Sequence, residues 1–264
     1  MLMPSIEGLN CYLINLDRAP ARLAFMDAQL QSLGLPYQRV SAVDKNSIGP
    51  TVEGYDAAAY RRLHGRRFHA GEIACYLSHV ACLRAFLASE AAHALILEDD
   101  ARLPEDLPQL LTAALGAADE WDLLRLSTVN SGIRAPYRPL VGRYQMAIAL
   151  TREKGAGAYL VNRRCAQTLL AREMPIRLAW DIAFDLEFRH GLRGAFIVPI
   201  PVDQCTGMET QIQHQTAEAK LPASRYLTVF PFRAMVETQR FLKRGSRLIW
   251  LKARQLRTPA GPTG

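Results

Sequence analysis

Ala94-Leu95-Ile96-Leu97-Glu98-Asp99-Asp100 is an apolar run that stops in three consecutive acids. A short apolar segment ending in a polar cluster predicts a buried strand emerging at the carboxyl edge of a sheet, where α/β folds bind ligands. Three carboxylates at one edge repel one another unless cations offset them. Mg²⁺ and Mn²⁺ favour such hard oxygen ligands and also bind phosphate oxygens. Strand alternation predicts that Glu98 and Asp100 point the same way, with Asp99 opposite. A bare acidic triplet more often opens a solvated loop, here before Pro104. The flanking segments reverse that reading.

Upstream lies the segment Gly71 to Phe86, in which Ile73, Leu77, Val80 and Ala81, with Leu87 beyond, recur at helical spacing and predict a buried face. Glu72, Tyr76 and His79 fall at i, i+4 and i+7 and share a second, polar stripe. A helix that feeds directly into the acidic strand aims its Glu and His at the same cleft.

Working outward, strands and helices alternate. Residues 9–16 read as a strand and 19–34 as a helix ended by Gly34. Residues 37–43 form a second strand closing on Asp44, and 45–70 a loop with Arg61, Arg62, Arg66 and Arg67. After the 71–92 helix and the 94–98 strand, Pro104 and Pro108 start another helix, and 121–127 is a strand. Residues 128–156 include a hairpin around 144–150. Residues 158–161 are a short apolar run, and Asn162 caps a helix reaching Glu173. Residues 181–189 read as helical and 195–200 as the last strand. This alternation predicts an α/β fold, a mainly parallel sheet with helices on both faces.

The 264 residues suffice for one α/β domain with a small appendage. Five scattered cysteines without a CxxC pair argue against a disulfide framework or zinc knuckle and favour a reducing cytosol. Cys75 and Cys82 read as small buried apolar residues. No apolar stretch approaches the roughly 20 residues of a membrane span, and the first ten residues lack a signal-peptide pattern. The net charge of +7 is unevenly placed: residues 225–264 hold nine Lys or Arg against the single acid Glu237. A neutral body with a basic tail does not favour nucleic acid, and no zinc-finger or RNA-recognition pattern is present.

The segments Gly71-Glu72-Ile73, Leu77-Ser78-His79 and Leu95 to Asp100 resemble the signature of glycosyltransferase family 25, which contains bacterial lipooligosaccharide glycosyltransferases and collagen galactosyltransferase domains. Tyr12 to Arg18, Arg22 and Ala42-Val43-Asp44 are similar to the family's opening strand, helix and second strand. Trp121 to Leu124, Gly157 to Val161, Trp180-Asp181 and Pro201 to Gln204 match more loosely, so the resemblance spans residues 9–215 in continuous order.

The resemblance implies a GT-A-like nucleotide-sugar-binding fold over residues 1–215, with 216–264 as a basic amphipathic tail. It implies transfer of a hexose, galactose or glucose, from a UDP-sugar to a saccharide acceptor such as a lipooligosaccharide core, with inversion and with Mn²⁺ or Mg²⁺. Asp100 is then the direct metal ligand, with Glu98 or Asp99 on the ribose, the metal or its waters, and His214 as a second ligand. Asp181, beside Trp180 as a sugar platform, is the base for the acceptor hydroxyl, and Asp185 the fallback. Asp181 reads equally as a helix cap. Asn15, Arg18, Arg22 and Asp44 at consecutive strand ends, with Glu72, Ser78 and His79, form the donor pocket.

Two other classes remain open on sequence. A metal-dependent phosphohydrolase or nucleotidyl transferase also uses an acidic strand edge, although Asn15-Leu16-Asp17 lacks the nucleophile-bearing turn expected there. A non-catalytic relative keeps the fold, yet every acid of the pattern is present. In the tail, Met235, Leu242, Ile249 and Leu256 repeat every seven residues, as do Arg240, Arg247 and Arg254. Such a helix either lies on an anionic membrane, placing a cytoplasmic enzyme on the inner leaflet, or packs on the protein's own body or a partner subunit with its arginines solvated.

Overall fold

The computed structural model describes residues 6–204 and 221–257. The strands are β1 (Leu9–Asn15), β2 (Tyr37–Ser41), β3 (His93–Glu98), β4 (Ala101–Arg102), β5 (Leu123–Arg125), β6 (Arg134–Val141), β7 (Tyr144–Ala149), β8 (Ala158–Asn162), β9 (Gly194–Val198) and β10 (Asp203–Gln204). The α-helices are α1 (Pro20–Ser32), the single turn α2 (Ala57–Ala59), α3 (Ala70–Ala88), α4 (Leu107–Leu115), α5 (Arg163–Arg172), α6 (Trp180–Ala183) and α7 (Tyr226–Arg257). Eight strands form one sheet in the order β2-β1-β3-β8-β5-β9-β7-β6, and β4 pairs with β10 beside it.

The α/β class holds, and the expected parallel pairing holds in the half that carries the acids. β1 runs parallel to both β2 and β3, placing Asn15, Ser41 and Glu98 at one carboxyl edge. The other half is mixed: β8 runs antiparallel between β3 and β5, and the predicted β6–β7 hairpin joins β9 antiparallel.

Alternation along the buried strands splits the core into two apolar layers. Cys11, Leu13, Leu95 and Leu97 face α1 and α4, while Tyr12, Ile14, Ala94 and Ile96 face α3 and α5. The helix ends follow their local chemistry. Gly34 closes α1 at φ +64°, a conformation strained for any residue with a side chain. Asn162 accepts the Cys165 N–H at the start of α5, and His69 accepts the Glu72 N–H at the start of α3.

α7 is one helix through Gly245-Ser246, and it packs on the body. Its Val236 enters one apolar layer and its Leu251 the other. Arg240 Nη1 donates to Asp185 Oδ2 at 2.6 Å, and Arg244 Nη2 donates to Asp185 Oδ1 at 3.0 Å and Glu187 Oε2 at 2.6 Å. Arg125 Nη1 completes the cage at 3.3 Å from Asp185 Oδ1. Of the seven-residue arginine repeat, Arg240 and Arg247 therefore turn toward the body. Their length lets them reach buried carboxylates and, for Arg247, the Gly194 and Glu120 carbonyls. The boundary expected at residue 215 lies outside the described residues.

Removing one member of such a cage leaves buried charge uncompensated. Asp185→Ala should lower unfolding stability by about 3–5 kcal/mol in urea denaturation, whatever its effect on activity. A loss below about 1 kcal/mol would contradict the cage.

Candidate active site

The cleft lies at the carboxyl edge of β1, β2 and β3, with a cavity volume of about 130 Å³. Asn15, Arg18, Arg22, Ser78, His79, Glu98, Asp99 and Asp100 all line it. Strand β3 ends at Glu98, and Asp99-Asp100 form a turn, so strand alternation stops before them. The expected opposite orientation of Asp99 is thus corrected: all three acids face one cleft.

Arg22, projecting from α1, is the cation that offsets their repulsion. Its Nη1 lies 2.8 Å from Asp99 Oδ1 and its Nη2 3.2 Å from Asp100 Oδ2. Asn15 Nδ2 donates to Asp99 Oδ2 at 2.8 Å, while Arg39 Nε donates to Asn15 Oδ1 at 3.1 Å. Asp99 is thereby saturated. Asp100 is not, because its Oδ1 is buried with no partner. Burial first, then Glu98, pushes the Asp100 carboxyl up to about 7 against the opposing pull of Arg22. Burial likewise raises Asp99.

His79 is fully buried and serves Glu98. Its Nε2 lies 3.1 Å from Glu98 Oε1 and its Nδ1 3.0 Å from the Tyr159 hydroxyl. An ionised Glu98 only accepts, so Nε2 carries the proton and Nδ1 accepts from Tyr159. Trp180 stacks on the His79 ring at 5.2 Å and is itself buried, which removes it as a sugar platform. The chain Tyr159–His79–Glu98 was not legible because Tyr159 lies 80 residues from His79.

Ser78 is a wall of the pocket: its Oγ accepts the Val43 N–H at 2.9 Å and donates to the Ala74 carbonyl at 2.7 Å. Arg18 and Asp44 pair at 2.6 Å on the exposed rim. Glu72, expected in the donor pocket, does not line the cleft and is held by Tyr60, His64 and Arg66. Burial favours its protonation, but His64 and Arg66 outweigh this and hold its carboxyl at about 2.

Cys75 marks where these groups converge. Its thiol is pushed well up by burial and then by Glu98, Asp181, Glu72 and Asp100 around it. Its Sγ is 4.0 Å from Glu98 Oε1, and Cys75 Sγ, His79 Nε2 and a Glu98 oxygen lie within 4.8 Å of one another. Cys75 had read as a core residue; it sits one turn before His79 on the same face, a spacing that was visible. Asp181 is raised chiefly by burial, and its Oδ2 accepts the Gly155 N–H at 3.4 Å. Asp181 does not cap α6 through its side chain; the N-cap position is Ala179. Asp185 as a fallback base is corrected, because it is wholly buried among three arginines. His214 lies outside the described residues.

The fold is thus a mixed α/β sheet with a cleft lined by carboxylates at the ends of its first parallel strands. The family model described as "Glycosyltransferase family 25 (LPS biosynthesis protein)" matches residues 9–184, and the chain belongs to that family. It is 26% identical over 178 residues to procollagen galactosyltransferase 1-A of Xenopus laevis, covering 63% of this chain and 29% of that protein. It is 31% identical over 125 residues to a glycosyltransferase 25 family member of Aedes aegypti, covering 43% and 20%. It is 29% identical over 124 residues to the inactive glycosyltransferase 25 family member 3 of Mus musculus, covering 44% and 21%. The chain thus spans less than a third of the length of the curated relatives it matches. Among solved structures, mannose-1-phosphate geranyltransferase from Thermus thermophilus aligns over 74% of this chain and 76% of that one, at TM-score 0.36 and 12% identity.

The ring of acids has a direct chemical readout. A thiol held protonated is a poor nucleophile. At pH 8 Cys75 should alkylate with iodoacetamide on the order of tenfold more slowly than a free cysteine, and neutralising Asp100→Asn should speed it. Labelling resolved by peptide mass spectrometry checks this; reaction at the free-thiol rate would contradict the arrangement.

Proposed function

We propose that the chain is an active hexosyltransferase that moves galactose or glucose from a UDP-sugar to a saccharide acceptor, with Mn²⁺ or Mg²⁺. The observation that carries the reading is a cleft at the edge where α/β sheets bind nucleotides, lined by Glu98, Asp99 and Asp100, with one Asp100 oxygen buried and unpartnered. Relatives named as inactive make activity the point to test.

The residues fit a hard divalent cation, because Asp100 Oδ1 is a buried oxygen without a partner and Glu98 stands beside it. Asp100 and Glu98 would hold the ion, which offsets negative charge developing on the leaving diphosphate. The chain's own residues supply the rest. His79 and Tyr159 fix the orientation of Glu98, and Arg22 keeps Asp99 turned toward the first strand. Arg18 and Asp44 at the rim contact the nucleoside. Asp181, made more basic by burial, accepts the proton of the acceptor hydroxyl as it attacks. One base on the acceptor side suits inversion.

Calorimetry with UDP, with and without Mn²⁺, followed by a UDP-sugar hydrolysis screen, tests this. Metal-dependent UDP binding should vanish in Asp100→Ala, with activity falling on the order of 10²-fold or more. Asp181→Asn should keep UDP binding and fold while losing turnover to a similar degree. Metal-dependent UDP binding without turnover on any UDP-sugar would assign the chain to the non-catalytic relatives.

The reading extends to a lipid-linked acceptor met at the cytoplasmic face of an anionic membrane. Its support is the outward face of α7. Met235, Leu242, Ile249 and Leu256 are 41%, 63%, 71% and 90% exposed. Lys243, Lys252 and Arg254 are exposed on its flanks, and the helix's one acid, Glu237, is held by Arg240. A second copy docked there would meet like charge, whereas acidic lipid contributes about 1 kcal/mol per cation. Among the described residues no helix is long and apolar enough to cross a membrane. Flotation should show salt-sensitive binding to anionic vesicles that Leu242→Glu with Ile249→Glu abolishes. Binding unaffected by salt and by those substitutions would rule it out.

A further inference from the structure

Arginines from three separate segments come near one another around a small cavity beside α6. Arg66 follows the turn Tyr60–His64, Arg152 lies between β7 and β8, and Arg225 and Arg233 stand at the start of α7. Gly65 places the first of these against the helix: a Cβ there would lie 2.9 Å from Val229 Cγ2 and 3.1 Å from Arg225 Cδ. Arg152 and Arg233 line one cavity with His64, Ile182 and Glu237. All four arginines are half-buried.

Two of the nearby carboxylates, Glu72 and Glu237, are already engaged. Glu72 takes Arg66, and Glu237 takes Arg240 at 3.1 Å. Among the described residues no ion pair reaches Arg152, Arg225 or Arg233, and Arg225 instead donates to the Leu221 carbonyl and the Tyr226 hydroxyl. The Arg233 guanidinium is held below its ordinary value by burial first, then by Arg152, with Arg66 and Arg225 adding to it. Like charges at partial burial repel strongly, so the arrangement costs stability until an anion joins it. Arg152 and Arg233, which line one cavity with Arg66 and Arg225 close enough to be felt there, suit a phosphate, which takes paired, charge-assisted hydrogen bonds.

The cluster borders the proposed base. Ile182 follows Asp181, Asp181 feels the charge of His64, and Gly155, three residues after Arg152, donates its N–H to Asp181. We infer that Arg152, Arg225 and Arg233 form a subsite for a phosphate group carried by the acceptor. The inference rests on Asp181 marking the acceptor side. The phosphate comes either from a phosphorylated sugar or from a lipid headgroup.

The test is thermal shift of the full chain in inorganic phosphate against chloride at matched ionic strength, with UDP and Mn²⁺ saturating the donor cleft. Phosphate should raise the melting temperature, and Arg152→Gln with Arg233→Gln should weaken its apparent affinity about tenfold or more. The same double variant should melt in chloride no lower than the parent, since a repulsion is relieved. No phosphate-specific rise, or a rise retained in the double variant, would overturn the subsite. Competition by glucose 6-phosphate but not glucose assigns the sugar source. Loss of flotation on phosphatidic-acid vesicles by the double variant, without that competition, assigns the lipid source. UDP calorimetry on the same samples separates failure of this subsite from failure of the transferase reading.

Discussion

Mutual repulsion of Glu98, Asp99 and Asp100 is the constraint on which the site depends. Three carboxylates on consecutive residues persist at a sheet edge because each has a different answer to its charge. Asp99 takes Asn15 and Arg22, Glu98 takes His79, and Asp100 keeps one oxygen unanswered. That asymmetry follows from the chain's geometry. Ending β3 at Glu98 lets the turn swing both aspartates into one cleft, and α1 sends a single arginine to meet them. Asp100 is thus the acid of the three whose buried oxygen no side chain of the protein answers.

A second electrostatic knot lies away from the cleft and supports it. Asp185 and Glu187 sit buried after α6 and are matched by Arg125 from β5 with Arg240 and Arg244 from α7. Arg125 also donates to the carbonyls of Glu153 and Gly155, and Gly155 contacts Asp181. The C-terminal helix is therefore tied through Arg125 to the loop beneath the proposed base. Buried ion pairs add modest net stability, but breaking one partner is costly, so the knot fixes where α7 and that loop stand.

The strand at 94–98, the helix that precedes it and the capping roles of Gly34 and Asn162 were legible because each rests on local periodicity or a local backbone need. Eight proposed cleft residues proved to share one pocket, since parallel strands bring their carboxyl ends to one edge. What was illegible depends on partners far along the chain. Asp185 read as a spare base because nothing nearby reveals arginines 55 to 60 residues away. The seven-residue arginine repeat in α7 read as facing lipid or solvent, with membrane docking and packing on the body both open. In fact the apolar repeat faces outward while Arg240 and Arg244 turn inward, because two buried carboxylates outweigh solvent as their partner. The cysteine among the carboxylates was visible as one turn from His79, yet its residue type suggested only packing.

The central claim is that the acids after β3 form one cation-holding centre, with Asp100 as its open ligand. Anomalous diffraction from crystals grown with Mn²⁺ and UDP tests it most directly. If Asp100 is the open ligand, a single strong Mn²⁺ peak should lie against an Asp100 carboxylate oxygen. Diphosphate bound in the cleft with no peak there, or a peak coordinated without Asp100, would contradict it.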